Sequence, residues 1–153
     1  MEEQEKYIRS LLEGCARANR VSQKLLYQEF YNYGMSISLR YANSRDEASE
    51  ILNDGFMKIF GNLRQFDLTK PFKPWLRKII VNTAINHYHK KQREIQSEEM
   101  QKAKNEMDSE KILSGISYQE VIALLQKLPI AYRTVFNLYV IEGYTHEEIA
   151  NML

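Results

Sequence analysis

The chain has 153 residues, of which 44% are hydrophobic and 27% are charged, and its 21 basic and 20 acidic residues leave a net charge of +1. Its single cysteine excludes an internal disulfide and a CxxC metal pair, and no apolar run approaches the ~18–20 residues of a membrane span. Six Gly and three Pro are few for a β protein, and no stretch shows sustained period-2 alternation. The acidic N-terminus lacks a signal-peptide pattern, so we expect an all-α, cytoplasmic protein without membrane insertion.

The first two predicted helices are separated by a short polar turn. The first runs from Glu3 to about Cys15, and the turn lies near residues 18–22. The second covers residues 23–43 and carries many aromatic side chains at helical spacing, which favours a place in the core. Residues 43–46 are then predicted to form a turn that contains a helix cap.

The third predicted helix, about residues 46–63, has one apolar face and one mixed polar face. The apolar face is expected in the core and comprises Ala48, Ile51, Leu52, Gly55, Phe56, Ile59 and Leu63. The opposite face, here called the docking face, carries Glu50, Asn53, Asp54 and Met57. An outward Met beside acids and an amide is unusual for a solvated face, and Met is favoured at protein contacts. This pattern predicts a surface that binds another protein.

A fourth helix with a narrow polar side is predicted within the segment from Lys70 to Arg93. Pro74 is expected at the first helical position, where its missing N–H is not needed. At about 100° per residue, two apolar strips flank one polar stripe. This polar row consists of Trp75, Lys78, Asn82, Asn86, His89 and Arg93, and further cations near it are Lys70, Lys73 and Lys90.

The chemistry of the polar row suits a nucleic acid. Asn amides pair with base edges, Lys and Arg with phosphates, and an aromatic ring stacks on an unpaired base. From Arg64 to Arg93 there are eight Lys or Arg and one acid, a net charge of +7, so the rest of the chain carries −6. Such asymmetry points to nucleic acid. The spacing alone is equally compatible with a solvated helix face, a basic tail and a core Trp.

The C-terminal part begins with a change of composition. Residues 94–115 carry six acids against three bases and few apolar side chains, which predicts a flexible acidic linker, with a lone exposed helix as the alternative. Helices are then predicted at 118–127 and 131–141, the second with Val135, Leu138 and Tyr139 pointing inward. A turn at 142–144 leads to a capping box formed by Thr145 and Glu148, which begins another helix. This order is typical of the front of a helix-turn-helix, and the sequence stops before the recognition helix would begin.

The sequence shows no arrangement for catalysis or for binding a cofactor. It has no Gly-rich phosphate loop and no Ser/His/Asp constellation, so we expect a protein that is not an enzyme. The acids of the third helix lack a Glu-x-x-His partner, and His87 and His89 fall on different helix faces. We therefore expect no metal site and no cofactor, with His87 on the core side and His146 solvated.

Three segments, in order, resemble a bacterial RNA polymerase sigma factor of the extracytoplasmic-function (ECF) type. Residues 46–67 (DEASEILNDGFMKIFGNLRQFD) resemble the region 2.2 helix, which docks on the β′ clamp helices of core polymerase. Residues 72–93 (FKPWLRKIIVNTAINHYHKKQR) resemble regions 2.3 and 2.4, which melt and read the −10 promoter element. Residues 128–153 (LPIAYRTVFNLYVIEGYTHEEIANML) resemble the opening of region 4, whose complete form reads the −35 element. Residues 23–45 look like region 2.1.

The resemblance assigns a role to each surface. It implies a region 2 helical domain at 1–93, a linker at 94–115 and a partial region 4 at 116–153. The docking face would contact core polymerase, because its Asn53-Asp54 pair stands where the family has Gln-Glu. Asn82 would lie near the −10 bases. The loop 67–73 would trap a flipped base in a pocket with walls formed by Phe66, Phe72 or Trp75.

The implied function is that of a promoter-specificity subunit. Its expected partners are core RNA polymerase, promoter DNA including the single-stranded −10 region, and, as for many family members, an anti-sigma factor. Residues 116–153 are few for a self-sufficient core, so we expect Ile149 and Leu153 to be frayed or packed on a partner. Two alternatives are a truncated polymerase-binding module without promoter choice and a stand-alone helix-turn-helix regulator.

Overall fold

The structure is a computed structural model that describes residues 1–97 and 117–153, with side chains described through Glu94 and again from Ser117. Within these ranges the chain is helical and contains no strand, as the sequence predicted. None of the described helices is long and apolar enough to cross a membrane. The helices are α1 (Glu2–Ala16), α2 (Arg20–Tyr41), α3 (Arg45–Asn62), α4 (Phe72–Ser97), α5 (Tyr118–Lys127), α6 (Ile130–Phe136) and α7 (His146–Met152). A 3-10 turn at Leu63–Gln65 follows α3, and a π-helical stretch at Asn137–Ile141 follows α6.

The described chain forms two compact units. The first contains Met1–Ser38 and Ser49–Thr83, and the second contains Leu39–Ala48 and Ala84–Leu153. The linker predicted at 94–115 lies outside the described residues except at its start, where α4 continues to Ser97. The domain limits proposed from the sequence therefore stay a prediction.

Side-chain caps set where α2 and α3 begin. Asn19 Oδ1 accepts hydrogen bonds from the N–H groups of Val21 (3.0 Å) and Ser22 (3.1 Å), so α2 starts three residues before the predicted position. Ser44 Oγ accepts the Glu47 N–H at 3.2 Å, which confirms the predicted cap before α3. The turn between α1 and α2 is thus shorter than the sequence suggested.

The core of the first unit follows the predicted apolar faces. Of the seven residues assigned to the apolar face of α3, six are buried in this unit, and Ala48 is buried in the second unit. Gly55 allows a close approach of α3 to α4, because a Cβ there would lie 3.3 Å from Ile80 Cγ1. Pro74 is the third residue of α4 instead of the first, which corrects the prediction. The position still tolerates proline because the first four N–H groups of a helix have no intrahelical acceptor.

In the second unit, the predicted capping box at the start of α7 is confirmed, and the structure shows another, at the start of α5, that the sequence analysis did not predict. Ser117 and Glu120 cap α5, and Thr145 and Glu148 cap α7, each pair bonding reciprocally. Gly143, with φ +78°, makes the turn before α7. The expectation that Ile149 is frayed or packed on a partner is wrong, because α7 forms, packs against the π-helical stretch and leaves Ile149 only 4% exposed.

One face prediction fails in the π-helical stretch that follows α6. Leu138 is buried as predicted and Val135 is half-buried, but Tyr139 is 49% exposed and stacks on His146 at 4.3 Å. The Glu142 N–H bonds Asn137 O across five residues, which is the π-helical pattern. Because this turn takes one residue more than an α-helical turn, the 3.6-residue period no longer assigns the faces.

Candidate nucleic-acid interface and docking face

The polar row lies on the solvent side of α4, as predicted. Buried apolar side chains lie on both sides of the row: Ile80 and Ala84 on one side, and Val81 and Ile85 on the other. Of the row itself, Lys78, Asn82, Asn86 and Arg93 are exposed, whereas Trp75 and His89 are half-buried; the nearby cations Lys70, Lys73 and Lys90 are exposed. This exposure leaves amides and cations available to a ligand along the helix. Their role in DNA binding stays a prediction.

A tight turn precedes the row in the 66–71 loop. Asp67 Oδ1 accepts the Thr69 N–H at 2.9 Å and the Thr69 hydroxyl at 2.6 Å, and the Lys70 N–H donates to Asp67 O at 3.0 Å. The hydrogen bond from the Thr69 side chain, and then that from its backbone, lower the pKa of Asp67. The carboxylate is therefore ionised at neutral pH and can only accept, so the Thr69 hydroxyl must donate to it. That hydroxyl can therefore only accept a hydrogen bond from a ligand.

The predicted aromatic pocket is filled by its own walls. Phe66 stacks on Trp75 with ring centroids 4.6 Å apart and an interplanar angle of 30°. Phe72 is buried and packs edge-on against Phe30 at 4.9 Å. A base cannot enter between Phe66 and Trp75 without separating them. The stack offers an outer aromatic face instead.

Helix α1 contacts the 66–71 loop and the 3-10 turn before it, and the sequence analysis did not predict these contacts. Arg9 Nη2 donates to Leu68 O in the loop, and Arg64 Nε donates to Ala16 O at the end of α1, both at 3.4 Å. Lys73 Nζ lies 4.6 Å from the centroid of the Tyr33 ring, a cation–π distance. These contacts join residues far apart in the sequence, so no local pattern could reveal them.

The docking face is exposed over its whole length on α3. Glu50, Asn53, Asp54 and Met57 all face solvent, and the Met57 side chain is 71% exposed. The Tyr27 hydroxyl donates to Asn53 Oδ1 at 2.8 Å, and the Tyr27 ring packs edge-on against Phe56 at 5.0 Å. Because the amide oxygen is engaged, the Asn53 NH₂ group is the part directed to a partner. The sequence analysis did not single out Tyr27 as part of this surface.

Two family models match the chain in the order of these surfaces. The sigma-70 region 2 model matches residues 26–94, which contain the docking face, the 66–71 loop and the polar row. The sigma-70 region 4 model matches residues 118–153, which contain α5, α6 and α7. Together they cover well over half of the chain, which therefore belongs to the sigma-70 family of RNA polymerase sigma factors.

Curated relatives narrow the assignment to the ECF type. The chain is 24% identical to the RNA polymerase sigma-H factor of Pseudomonas aeruginosa, over 94% of this chain and 80% of the relative. It is 24% identical to the ECF sigma-E factor of Haemophilus influenzae, over 94% and 82% of the two chains. It is 27% identical to the ECF sigma factor SigW of Bacillus subtilis, over 70% and 64%. The predicted promoter-specificity subunit is thereby confirmed.

Proposed function

We propose that this sigma factor holds core RNA polymerase with the docking face and captures the melted −10 strand with the 66–71 loop and the polar row. The observation that carries the proposal is the exposed row of amides and cations on α4, set between two buried apolar strips. It lies in the segment from Arg64 to Arg93, whose net charge is +7 in a chain of +1. The rest of the sequence has a net charge of −6, so a polyanion is attracted most strongly to this segment.

The polar row divides the work between phosphates and bases. Lys70, Lys78 and Arg93 contact phosphates, which position a strand without reading it. The Asn82 amide is suited to a base edge, because an amide both donates and accepts. Extruding a base from the duplex costs a few kcal/mol of lost stacking and pairing. Stacking of that base on the outer face of the Phe66–Trp75 pair offsets this cost by ~1–3 kcal/mol.

The docking face contributes affinity for the polymerase. Met57 supplies an adaptable apolar contact at one end of the docking face, and Glu50 and Asp54 add negative charge further toward the start of α3. Tyr27 fixes the Asn53 amide before the partner arrives, so less conformational freedom is lost on binding. The partner surface is the β′ clamp helices, in keeping with the resemblance of residues 46–67 to region 2.2. The protein acts where the polymerase acts, in the cytoplasm.

The first test is a titration of the labelled 153-residue chain with bacterial core RNA polymerase. Saturable binding is the expected result. Duplex DNA binding without any polymerase binding would instead favour a stand-alone regulator, and polymerase binding without promoter-directed transcription would favour the truncated module.

The second test addresses base reading by Asn82. Asn82→Ala is expected to weaken opening of cognate promoters by roughly 5- to 150-fold, the range of one bidentate base contact, while polymerase binding is kept. Asn32→Ala, an exposed amide on α2, is the matched control. Promoter opening that is equal in the Asn82→Ala and Asn32→Ala chains would remove Asn82 from the reading surface.

A further inference from the structure

Helix α1 is fixed to the rest of the first unit from its start to its end. At its start, Gln4 Nε2 donates to Glu29 Oε1 of α2 at 2.8 Å. Its buried side chains, each 5% exposed or less, are Leu11, Leu12 and Cys15. At its end, Arg64 of the 3-10 turn donates from Nε to Ala16 O, one of the last carbonyls of the helix, at 3.4 Å. The exposed side of α1 therefore has a fixed position beside the 3-10 turn and the loop that follows it.

Arg9 lies on this exposed side and reaches the 66–71 loop. Its Nη2 donates to Leu68 O at 3.4 Å, and the charge of the guanidinium strengthens this long bond. Leu68 occupies the second position of the turn in which the Lys70 N–H donates to Asp67 O at 3.0 Å. Arg9 thus holds a carbonyl in the middle of the turn from a helix 59 residues away in the chain.

The two ends of the same turn are held from within the loop. Asp67 Oδ1 accepts the Thr69 N–H at 2.9 Å and the Thr69 hydroxyl at 2.6 Å. With Leu68 O bound by Arg9, donors and acceptors on both sides of the turn are occupied in the free protein. A loop that is already ordered loses less conformational entropy when a ligand binds, so its affinity for that ligand is higher.

Helix α1 lies outside the segments that the article has so far connected with nucleic acid. The sigma-70 region 2 model matches residues 26–94, and the segment of net charge +7 runs from Arg64 to Arg93. Neither of them contains Arg9. The contribution of α1 to the loop therefore follows from the contacts described above.

We infer that α1 is a brace for the 66–71 loop and that Arg9 is its positioning residue, which holds the loop in the form that captures an extruded base. The inference deepens the proposed function and rests on it. A residue that acts in this way strengthens the binding of the base in the loop. It leaves the phosphate contacts along the polar row unchanged.

Abasic strands isolate the contribution of the loop. A fluorescein-labelled A/T-rich single strand is compared, by anisotropy titration, with copies that each lack the base at one position. In the parent chain, the position at which removal of the base weakens binding most identifies the base held by the loop. The affinity lost there is the loop contribution, and the affinity that remains belongs to the polar row.

Arg9→Ala is expected to reduce the loop contribution roughly 2- to 12-fold, the effect of one hydrogen bond, and to leave the affinity for the abasic strand unchanged. Lys6→Ala removes the same charge from the exposed side of α1, three residues earlier, and should match the parent chain. Arg9→Lys keeps a charged donor and should restore most of the loss. Equal losses in Arg9→Ala and Lys6→Ala would show an effect of charge alone and overturn the inference.

Amide exchange measured by NMR reads the order of the loop without DNA. The Thr69 and Lys70 N–H groups are hydrogen-bonded within the turn, so their exchange with water reports its opening. Arg9→Ala is expected to speed exchange at these two amides and not at Ile80, which is buried on α4. Exchange that is unchanged at Thr69 and Lys70, or faster at all three residues alike, overturns the brace.

The inference and the proposed function fail in different ways. If the parent chain distinguishes intact from abasic strands but Arg9→Ala keeps the whole loop contribution, the inference is overturned and the proposed function stands. If the parent chain binds intact and abasic strands equally, base capture by the loop is overturned, and the positioning role of Arg9 falls with it.

Discussion

The hydroxyl of Thr69 has a fixed hydrogen-bonding direction. Its proton is committed to Asp67 across 2.6 Å, so a base that meets it must donate, as the amino groups of adenine and cytosine do. We expect a single strand with adenine or cytosine at that position to bind more tightly than the same strand with thymine, which has no exocyclic amino group and carries its one base-edge donor, N3–H, between two carbonyl oxygens. Thr69→Val should abolish this difference, which one hydrogen bond sets at roughly 2- to 12-fold.

Competition among strands that differ at one position measures the effect. Thr69→Ser keeps the hydroxyl and is the control, since it should retain the preference of the parent chain. A Thr69→Val chain with unchanged base preference would show that the hydroxyl is not a reading group.

The lowered pKa of Asp67 predicts how the stability of the folded protein changes with pH. Its pKa is lowered chiefly by the hydrogen bond from the Thr69 side chain, so the folded loop favours the ionised form. The ionised Asp67 carboxylate therefore stabilises the folded protein fully above the ordinary carboxyl pKa of 3.8. This contribution to the free energy of unfolding is lost as the pH falls through the lowered pKa. Carbon-detected NMR titration should place the Asp67 midpoint below 3.8 and should find it raised in Thr69→Val. A midpoint at or above 3.8 in the parent chain is the contrary result.

At the scale of the helix, α3 separates two functions onto two faces. Its buried face builds the core, and its exposed face is proposed to bind the polymerase. We expect Asp54→Lys to weaken core polymerase binding by about tenfold or more, because a reversed charge is placed against a complementary surface. Single-stranded −10 DNA binding should be unchanged. Glu13→Lys, the same reversal on the exposed side of α1, is the control, and equal polymerase affinity of the two variants would place the docking surface elsewhere.

The helices differ in how far the sequence predicts them. The faces of α3 and the solvent side of α4 were predicted, because apolar periodicity decides burial in a regular amphipathic helix. The face on which Tyr139 lies was not predicted, because the π-helical stretch that follows α6 changes the helical period. The start of α2 was missed because one cap, Asn19, outweighed the polar composition of the turn.

In the candidate site, too, some features follow from the local sequence pattern and others depend on packing between distant residues. Exposure of the polar row follows from local spacing, whereas the stack of Phe66 on Trp75 and the bond from Tyr27 to Asn53 depend on packing between helices. The hydrogen bond from Arg133 Nη1 to Tyr41 O is the extreme case, because these two residues are 92 positions apart in the chain. A buried Arg that binds carbonyls has no sequence pattern that distinguishes it from an exposed one.

At the scale of the whole molecule, charge is concentrated in one segment of +7 against −6 elsewhere. Lys70→Ala should weaken binding of all single strands alike and reduce the slope of log affinity against log salt by about 0.7, the value for one phosphate contact. Salt titrations by fluorescence anisotropy measure this slope. Lys24→Ala, an exposed lysine on α2, is the control. A loss confined to particular sequences would mean that Lys70 reads bases.

Trp75 is the only tryptophan of the chain, and it lies against Phe66 beside the 66–71 loop. The chain also has ten tyrosines, but its tryptophan emission comes from one place, the ring pair on which a base is proposed to stack. A nucleobase that stacks there quenches or shifts that light, whereas a partner on α3 leaves the indole untouched. The protein thus carries a built-in optical reporter that distinguishes strand capture from polymerase docking without any added dye.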